Sequence, residues 1–369
     1  MRGTILLGAL LLGLAAPAAA LVQPAPASDF WTVSEQRLIF RPAQLSVPRS
    51  AAGVEYFETS EFSRKGEGLD TAIKYRSADQ KIFATLYVYY PSFAHTGVQA
   101  IATDQAIRGG TRSPGIRALG TGVAPAGGKP GVAVTADYDN YLGENYTKAA
   151  FLKAGRWMLK LRVTGPESRS AEVGTVMKAL LDGLRFEGEA QPRPATPIAA
   201  GQCASTDRPD AAVTTGGGDA TAIAMSDADG APAVKAARGG GKAFPARVGR
   251  DWCRTLLQVG TQRTAVLQAT GKGGPARGLD GDSALLVLYS DSGGVLEVVR
   301  LAKERKYILL HHDIGEVKVL DSYDAMPSLA QIGRLFTDPT GIRVRIRLKP
   351  DGTSEVQLPG ARGDGKEGN

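Results

Sequence analysis

A change of hydrophobic period between residues 149 and 186 constrains the fold of this 369-residue chain more than any other feature. From Trp157 to Thr164 apolar and polar residues alternate, which predicts a β-strand with one buried face, because successive side chains point to opposite sides of a sheet. The preceding run, Ala149 to Lys153, is also strand-like, and Gly155 lies in the short connection. The two runs therefore predict a β-hairpin.

After this hairpin the apolar residues recur with the period of an α-helix. Ser170 is the expected N-cap, Glu172 suits the positive end of the helix dipole, and Gly183 is expected to end the helix in the left-handed conformation. The apolar stripe consists of Val173, Val176, Met177, Leu180, Leu181 and Leu184. An apolar strand face opposite such a stripe predicts a two-layer core of sheet and helix.

The stretch before the hairpin adds three strands, one helix and a loop rich in glycine and proline. Hairpins are expected to join most of these elements, so the predicted fold class is α+β, an antiparallel sheet with packed helices, followed by a second, strand-rich domain. The predicted strands are Leu69–Arg76, Ile82–Tyr90 and Val132–Tyr138, the helix is Thr96–Arg108, and the loop is Gly109–Gly131.

The second domain is expected to consist mainly of strands. Pro350 to Thr353 have the composition of a turn, which is expected to join the last two of these strands. One helix is expected between Ser328 and Phe336. The predicted strands are Thr221–Met225, Trp252–Val259, Thr264–Thr270, Ala284–Tyr289, Val295–Leu301, Tyr307–His312, Val317–Leu320, Ile342–Leu348 and Glu355–Leu358.

Residues Met1 to Ala20 have the pattern of a secretory signal peptide: a basic start, a short apolar run and small residues at the end. We expect cleavage near Ala20, and a mature chain that is periplasmic or secreted and has no transmembrane segment. The predicted organisation is a signal peptide (1–20), an α+β domain (21–187), a linker rich in proline and alanine (188–202), a strand-rich domain with one disulfide (203–359) and a disordered tail (360–369).

The formal net charge of +7 is spread over both halves of the chain. A nucleic-acid-binding protein usually gathers such an excess on one face. The charge pattern together with the export signal therefore argues against a nucleic-acid partner.

The sequence contains two cysteines, Cys203 and Cys253. In an exported protein such a pair usually forms a disulfide, so we expect these residues to be bonded. Metal binding by the two thiols is the minor alternative.

The cluster of His311, His312 and Asp313 is the first candidate for chemistry. In a strand, His311 and Asp313 share one face and His312 points away, so the pair could supply two ligands of a metal site that needs more. The remaining histidine, His95, lies in the other domain. A role at the surface or at a strand edge is favoured over a metal or catalytic role.

A basic stripe is the second candidate. Arg343, Arg345, Arg347 and Lys349 alternate with apolar residues and could bind anionic polymers or lipid head groups. The favoured interpretation is the solvated face of an amphipathic strand whose charge protects a sheet edge.

Aromatic residues concentrate on the strands of the first domain. They could line an apolar pocket, but side chains of this kind more often form the sheet core. The group consists of Tyr75, Tyr87, Tyr89, Tyr138, Tyr141, Phe151 and Trp157.

The segment GLDTAIKYRSADQKIFATLYVYY, a hairpin ending in a Tyr-rich strand, is followed by RWMLKLRVTG, an amphipathic helix and LRF. Over roughly Pro42 to Glu187 this pattern resembles the PsbP/DcrB-like fold group of exported α+β domains. Members of that group are typically non-catalytic accessory or binding modules. The resemblance therefore implies such a role and assigns no catalytic residue, metal or cofactor.

These observations predict an exported, non-enzymatic binding or accessory protein of the bacterial cell envelope. Its partner, an envelope protein or ligand that the sequence does not identify, would contact an open face of the first sheet or the cleft between the domains. One alternative is an envelope hydrolase that uses His311 and Asp313. Another is a binder of anionic envelope polymers through the basic stripe.

Overall fold

The computed structural model of the protein describes most of the chain between residues 29 and 358. The predicted signal peptide, the strand predicted at Thr221–Met225 and the predicted disordered tail lie outside the described residues. The described ranges are 29–63, 66–109, 115–188, 190–204, 208–214, 251–260, 262–270, 281–301, 305–337, 341–349 and 353–358.

The structure is mostly β, with 55% strand and 15% helix, and its described part contains three helices and three sheets. The predicted α+β class, an antiparallel sheet with packed helices, is therefore wrong. The local patterns predicted many of the strands but not how far the sheets extend, because that depends on main-chain pairing that leaves no periodic pattern.

The first sheet is small, and its strands run in the order β1-β2-β3-β12. It joins the start of the described chain to the short strand that follows the second helix. Its strands are β1 (Trp31–Val33), β2 (Arg37–Phe40), β3 (Leu45–Pro48) and β12 (Arg185–Phe186).

The second sheet has eight antiparallel strands in the order β4-β5-β6-β7-β11-β10-β9-β8. The predicted hairpin forms its centre, with Ala154 paired with Trp157. Its strands are β4 (Ser50–Ala51), β5 (Val54–Glu61), β6 (Asp70–Ser77), β7 (Phe83–Tyr89), β8 (Arg117–Ala126), β9 (Lys129–Tyr141), β10 (Asn145–Ala154) and β11 (Trp157–Pro166).

The third sheet follows the order β13-β15-β16-β17-β18-β19-β20-β21-β22, with β14 paired to β20. All of its pairs are antiparallel except β13 with β15. Its strands are β13 (Ala200–Gln202), β14 (Val213–Thr214), β15 (Trp252–Val259), β16 (Gln262–Ala269), β17 (Gly281–Leu288), β18 (Val295–Leu301), β19 (Lys306–Asp313), β20 (Glu316–Tyr323), β21 (Val344–Leu348) and β22 (Ser354–Gln357).

The three described helices lie against the sheets. They are α1 (Thr96–Gly109), α2 (Ser170–Asp182) and α3 (Leu329–Thr337). The apolar stripe of α2 joins the core formed by one face of β11, as the change of period predicts. Helix α1 packs between the second and third sheets, because Val98 contacts the cluster of Trp252 while Ala100 contacts that of Phe151.

Both predicted ends of α2 differ from the structure. Arg169, not Ser170, is the N-cap, and it makes no side-chain capping bond. Gly183 has a φ of −77°, which is outside the left-handed region. A Cβ at Gly183 would lie 2.8 Å from Pro48 of β3, so the glycine is required by close packing against the first sheet and not by its conformation.

Residues predicted as a glycine- and proline-rich loop contain β8, so that part of the prediction is wrong. The side chains of β8 are almost all exposed. No alternation of apolar and polar residues could therefore mark it as a strand. It is held by main-chain pairing with β9 at the edge of the second sheet.

One hydrophobic core is shared by the two halves of the chain. Residues of β2, β7 and β11 belong to the same buried cluster as Leu310, Val317 and Ile346 of the third sheet. The opposite face of the third sheet packs against α3, where Ile332 is fully buried. The third sheet is thus covered on both faces.

The predicted linker, residues 188–202, contacts both halves. Pro192 forms a bridge to Ala154, the Thr196 main-chain N–H donates to Thr96 Oγ1 at 3.1 Å, and Ala200 in β13 pairs with Trp252. The domain boundaries predicted at 187 and 203 stay a prediction.

Candidate functional site

A cavity of about 240 Å³ lies between α3 and the third sheet. Apolar side chains from two strands, from the end of α3 and from the segment before β21 form most of its wall. Three nitrogen-bearing side chains complete it. The lining residues are Leu296, His311, Lys318, Leu320, Leu335, Phe336, Ile342 and Arg345. We call this cavity the α3 pocket.

The polar side of the α3 pocket is a single row of residues across four strands. Leu296 pairs with His311, His311 with Lys318, and Lys318 with Arg345. Directly paired residues project their side chains to the same face of a sheet. The row therefore brings two sequence candidates, His311 and Arg345, to one site together with Lys318.

Helix α3 covers the pocket, and its start is fixed to the segment that precedes β14. Ser328 Oγ accepts a hydrogen bond from the Gln331 main-chain N–H at 2.9 Å, which caps the helix. The Gln331 amide accepts from the main-chain N–H of Ala211 and donates to its carbonyl, both at 2.9 Å. These bonds position the later residues, Leu335 and Phe336, over the row.

His311 is the chemically adaptable group of the pocket. Its ring stacks on Tyr289 with the centroids 5.0 Å apart. Its Nδ1 is buried and has no hydrogen-bond partner among the described residues. Burial, reinforced by the charge of Lys318, lowers the pKa of His311 to about 4. The imidazole is therefore neutral near pH 7 and can donate one hydrogen bond and accept another.

The cations beside the pocket share one carboxylate. Glu316 lies 3.2 Å from Lys318, 3.5 Å from Arg345 and 3.7 Å from Arg347. The row next to the pocket also holds Asp313, which pairs with Glu316, and Glu355, which pairs with Arg347, so three carboxylates face these three cations. Two cations, Lys318 and Arg345, are among the lining residues of the α3 pocket, and the carboxylates lie outside that lining.

The predicted basic stripe is divided by the structure. Arg345 lines the pocket, whereas Arg343 forms an ion pair with Asp321 at 2.6 Å. The main-chain N–H of Lys349 donates to Thr353 at 2.9 Å. The strand is not at the sheet edge, because β22 pairs with it. Protection of an edge by these charges is therefore not the explanation for the stripe.

Of the predicted pair, His311 lines the α3 pocket and Asp313 does not, although the charge of Asp313 is close enough to raise the pKa of His311 against the larger lowering by burial. Asp313 Oδ1 accepts a hydrogen bond from the Ile314 main-chain N–H at 2.9 Å, and Asp313 is not part of the pocket wall. Across the described ranges of the chain, no three His, Cys, Asp or Glu side chains are grouped so as to hold a metal ion.

His312 belongs to a second polar group that sequence reasoning missed. Its Nδ1 lies 3.1 Å from Ser92 Oγ and its Nε2 lies 3.1 Å from Glu297 Oε2. A hydroxyl, an imidazole and a carboxyl in this order resemble the arrangement of a hydrolase. However, His312 and Glu297 are 0% exposed and Ser92 is 6% exposed, so a substrate carbonyl cannot reach the hydroxyl. The group is a buried hydrogen-bond network between the two halves.

A third polar group also joins the two halves. Lys160 was expected on the polar face of its strand, yet it is 5% exposed. Its ammonium lies 2.9 Å from Asp291 Oδ2 and 4.6 Å from the centre of the Tyr87 ring. Near it, burial raises the pKa of Asp70 to about 6. The sequence offers no local signal for this contact, because it depends on how the second and third sheets pack.

Five of the seven aromatic residues singled out in the first domain are buried, as the favoured interpretation expects, and the other two, Tyr87 and Tyr141, are half-buried. Tyr75, Tyr89, Tyr138 and Phe151 are among the largest fully buried side chains. They are therefore not the walls of an open pocket.

Cys203 and Cys253 are joined in a disulfide. The bond ties the chain just after β13 to β15, the strand with which β13 pairs in parallel. In the described residues no helix is long and apolar enough to cross a membrane.

Comparison with known proteins gives little guidance. No protein-family model matches the chain, and no curated protein matches it. One matched solved structure is that of cyanobacterial PsbP (CyanoP) from Synechocystis sp. PCC 6803. It is 13% identical, and the match covers 41% of this chain and 91% of that chain with a TM-score of 0.29. At that score the likeness supports no argument about fold or function.

Proposed function

We propose that this protein is an exported, non-enzymatic binding protein of the bacterial cell envelope and that its ligand occupies the α3 pocket. Export rests on the signal-peptide pattern of residues Met1 to Ala20. Binding rests on the pocket, which combines an apolar wall with a few convergent polar groups, as small-molecule sites typically do.

The single observation that carries the proposal is the position of His311. A buried ring nitrogen without a partner costs stability unless something binds it. In the α3 pocket this nitrogen belongs to a residue of the wall, next to Lys318 and Arg345. A ligand acceptor would satisfy this nitrogen after a small shift of the ring, because the nitrogen itself is fully buried.

Catalysis at the same place is less well supported. A hydrolase that used His311 and Asp313 would need both side chains at the reacting atoms, and Asp313 is not in the pocket wall. Replacing His311 by Ala separates the two functions. An enzyme would lose turnover with its fold unchanged, whereas a binding protein would lose affinity and have no turnover to lose.

Binding of anionic polymers through the basic stripe is also less well supported. Glu316 and Asp321 already form ion pairs with Arg343, Arg345 and Arg347. Polymer binding through the stripe would weaken steeply with added salt.

Native mass spectrometry of the mature protein, purified gently from its own envelope fraction, tests the proposal. We expect a small-molecule mass to accompany the wild type. Leu335→Trp fills the pocket and should abolish the extra mass. Leu119→Trp is the matched control, because Leu119 is 56% exposed on β8 and does not line the pocket. A wild type without extra mass, or extra mass retained equally by Leu335→Trp, would contradict the proposal.

A further inference from the structure

The size of the α3 pocket limits the apolar part of its ligand. An apolar cavity of about 150 Å³ takes up benzene. The α3 pocket, with about 240 Å³, therefore has room for roughly ten carbon atoms. Leu320 at 5% exposure and the side chains of Leu335 and Phe336 form the wall that would contact this group.

The charge of the rim limits the head group. Lys318 and Arg345 are neighbours in the cross-strand row, and both share Glu316 with a third cation, Arg347. Because the lining residues include Lys318 and Arg345 and no carboxylate, a ligand anion inside the pocket would be attracted and a ligand cation repelled. A guanidinium offers several N–H donors in one plane, which match the two oxygens of a carboxylate.

His311 adds a neutral hydrogen-bonding group at the boundary between the charged row and the apolar wall. It is paired across the strands with Lys318 on one side and with Leu296 on the other. A ligand that spans this boundary has a polar end beside Lys318 and Arg345 and an apolar end under α3.

We infer that the α3 pocket binds a medium-chain carboxylate, an apolar chain of roughly ten carbon atoms with a single anionic head. This inference rests on the proposed function, and it names the ligand class of the same site. The carboxylate lies against Lys318, Arg345 and His311, and the chain lies between Leu320 and the end of α3.

Three probes of equal chain length test this inference: decanoate, decanol and decylamine. Each is titrated by isothermal titration calorimetry into the mature protein after bound lipid has been removed. We expect decanoate to bind about tenfold more tightly than decanol, the ratio that a charge-assisted hydrogen bond supplies. Decylamine should bind more weakly than either.

Two variants test whether the basic side chains of the pocket cause the preference for decanoate over decanol. Lys318→Met and Arg345→Met should each reduce the ratio of decanoate to decanol affinity several-fold while leaving decanol binding unchanged. Lys178→Met is the matched control, because Lys178 is an exposed residue of α2 that pairs with Asp182. It should leave both affinities unchanged.

The outcomes separate this inference from the proposed function. Equal affinities for decanoate and decanol, both lost in Leu335→Trp, would overturn the carboxylate assignment and leave the pocket as a binding site. Failure of all three probes would also overturn the assignment, and native mass spectrometry would still decide whether the pocket holds another ligand.

Discussion

The ammonium of Lys160 lies 2.9 Å from the carboxylate of Asp291 and 3.0 Å from its main-chain carbonyl, so a residue at the centre of the second sheet is paired with the turn between β17 and β18. Gln99 of α1 also donates to that carbonyl. The contact fixes the third sheet against the second. Lys160 is almost completely buried, and a buried cation needs such partners.

Asp291→Ala should destabilise the protein. The variant removes the carboxylate and leaves the buried ammonium with the main-chain acceptor alone. We expect the free energy of unfolding to fall by about 2 kcal/mol, measured by urea denaturation. Asp182→Ala is the matched control, because the Asp182 and Asp291 side chains are both 43% exposed but Asp182 pairs with an exposed lysine. It should cost no more than about 0.5 kcal/mol. Equal losses would refute the assigned role of Lys160.

Asp70 should make stability depend on pH. Burial raises its pKa from 3.8 to about 6, and Lys160 opposes this shift, while Glu61, Asp291 and Asp313 reinforce it. The folded state therefore binds more protons than the unfolded state between these values, so this group lowers stability as pH rises from about 4 to about 6.

Asp70→Asn should remove that dependence. We expect the variant to gain on the order of 2 to 3 kcal/mol relative to the wild type between pH 4 and pH 7, measured as a difference in the free energy of unfolding. Asp79→Asn is the control of opposite sign, because hydrogen bonds, chiefly from Ser77, hold the pKa of Asp79 below its usual value. It should lose stability relative to the wild type as pH rises. A flat difference for Asp70→Asn would contradict its burial.

His311 should have the opposite effect on the pH dependence of stability over roughly the same pH range. Its pKa is lowered from 6.5 to about 4, so the unfolded state binds more protons and stability falls as pH drops through this interval. The contributions of Asp70 and His311 to the pH dependence of stability therefore partly cancel in the wild type. The stability of His311→Gln relative to the wild type should therefore be higher at pH 4.5 than at pH 7.5. Urea denaturation at both pH values measures the difference, and an unchanged difference would rule out the assigned environment of His311.

The bounds of β15 and β18 match the sequence prediction, whereas the α3 pocket could not be predicted. Val295–Leu301 is apolar at five of its seven positions, as is expected of a strand covered on both faces. The pocket depends on the register of four strands and on the place where α3 ends. No local pattern contains the pairing of His311 with Lys318 or of Lys318 with Arg345.

Burial of polar residues was the other property that the sequence did not reveal. Alternation correctly placed Trp157 and Leu159 toward α2, but it assigned Lys160 to an exposed face. Helix α1 and the third sheet cover that face. A one-strand pattern cannot predict a second covering layer, so the sequence placed Lys160 on an exposed face and His312 in a cluster at the surface or at a strand edge.

His312→Ala should destabilise the protein more than a typical substitution. The imidazole lies within hydrogen-bond distance of both Ser92 and Glu297, and all three side chains are buried. Removing the imidazole leaves two buried polar groups without this partner, which costs about 2 to 3 kcal/mol. His312→Gln should restore part of the loss, because an amide can replace one bond. Ser92→Ala should cost less, since the pair of His312 and Glu297 remains. A loss below about 1 kcal/mol for His312→Ala would contradict this network.

Removal of the disulfide should lower stability through the unfolded state. Cys203 and Cys253 are 50 positions apart. Closing a loop of this length is worth about 4 kcal/mol in the chain-entropy model. The double variant Cys203→Ala/Cys253→Ala should lose about this much free energy of unfolding, and reduced wild type should match it. Mass spectrometry of the oxidised mature protein provides the independent check. Two free thiols, or a double variant as stable as the oxidised wild type, would show that the bond does not stabilise the contact between β13 and β15.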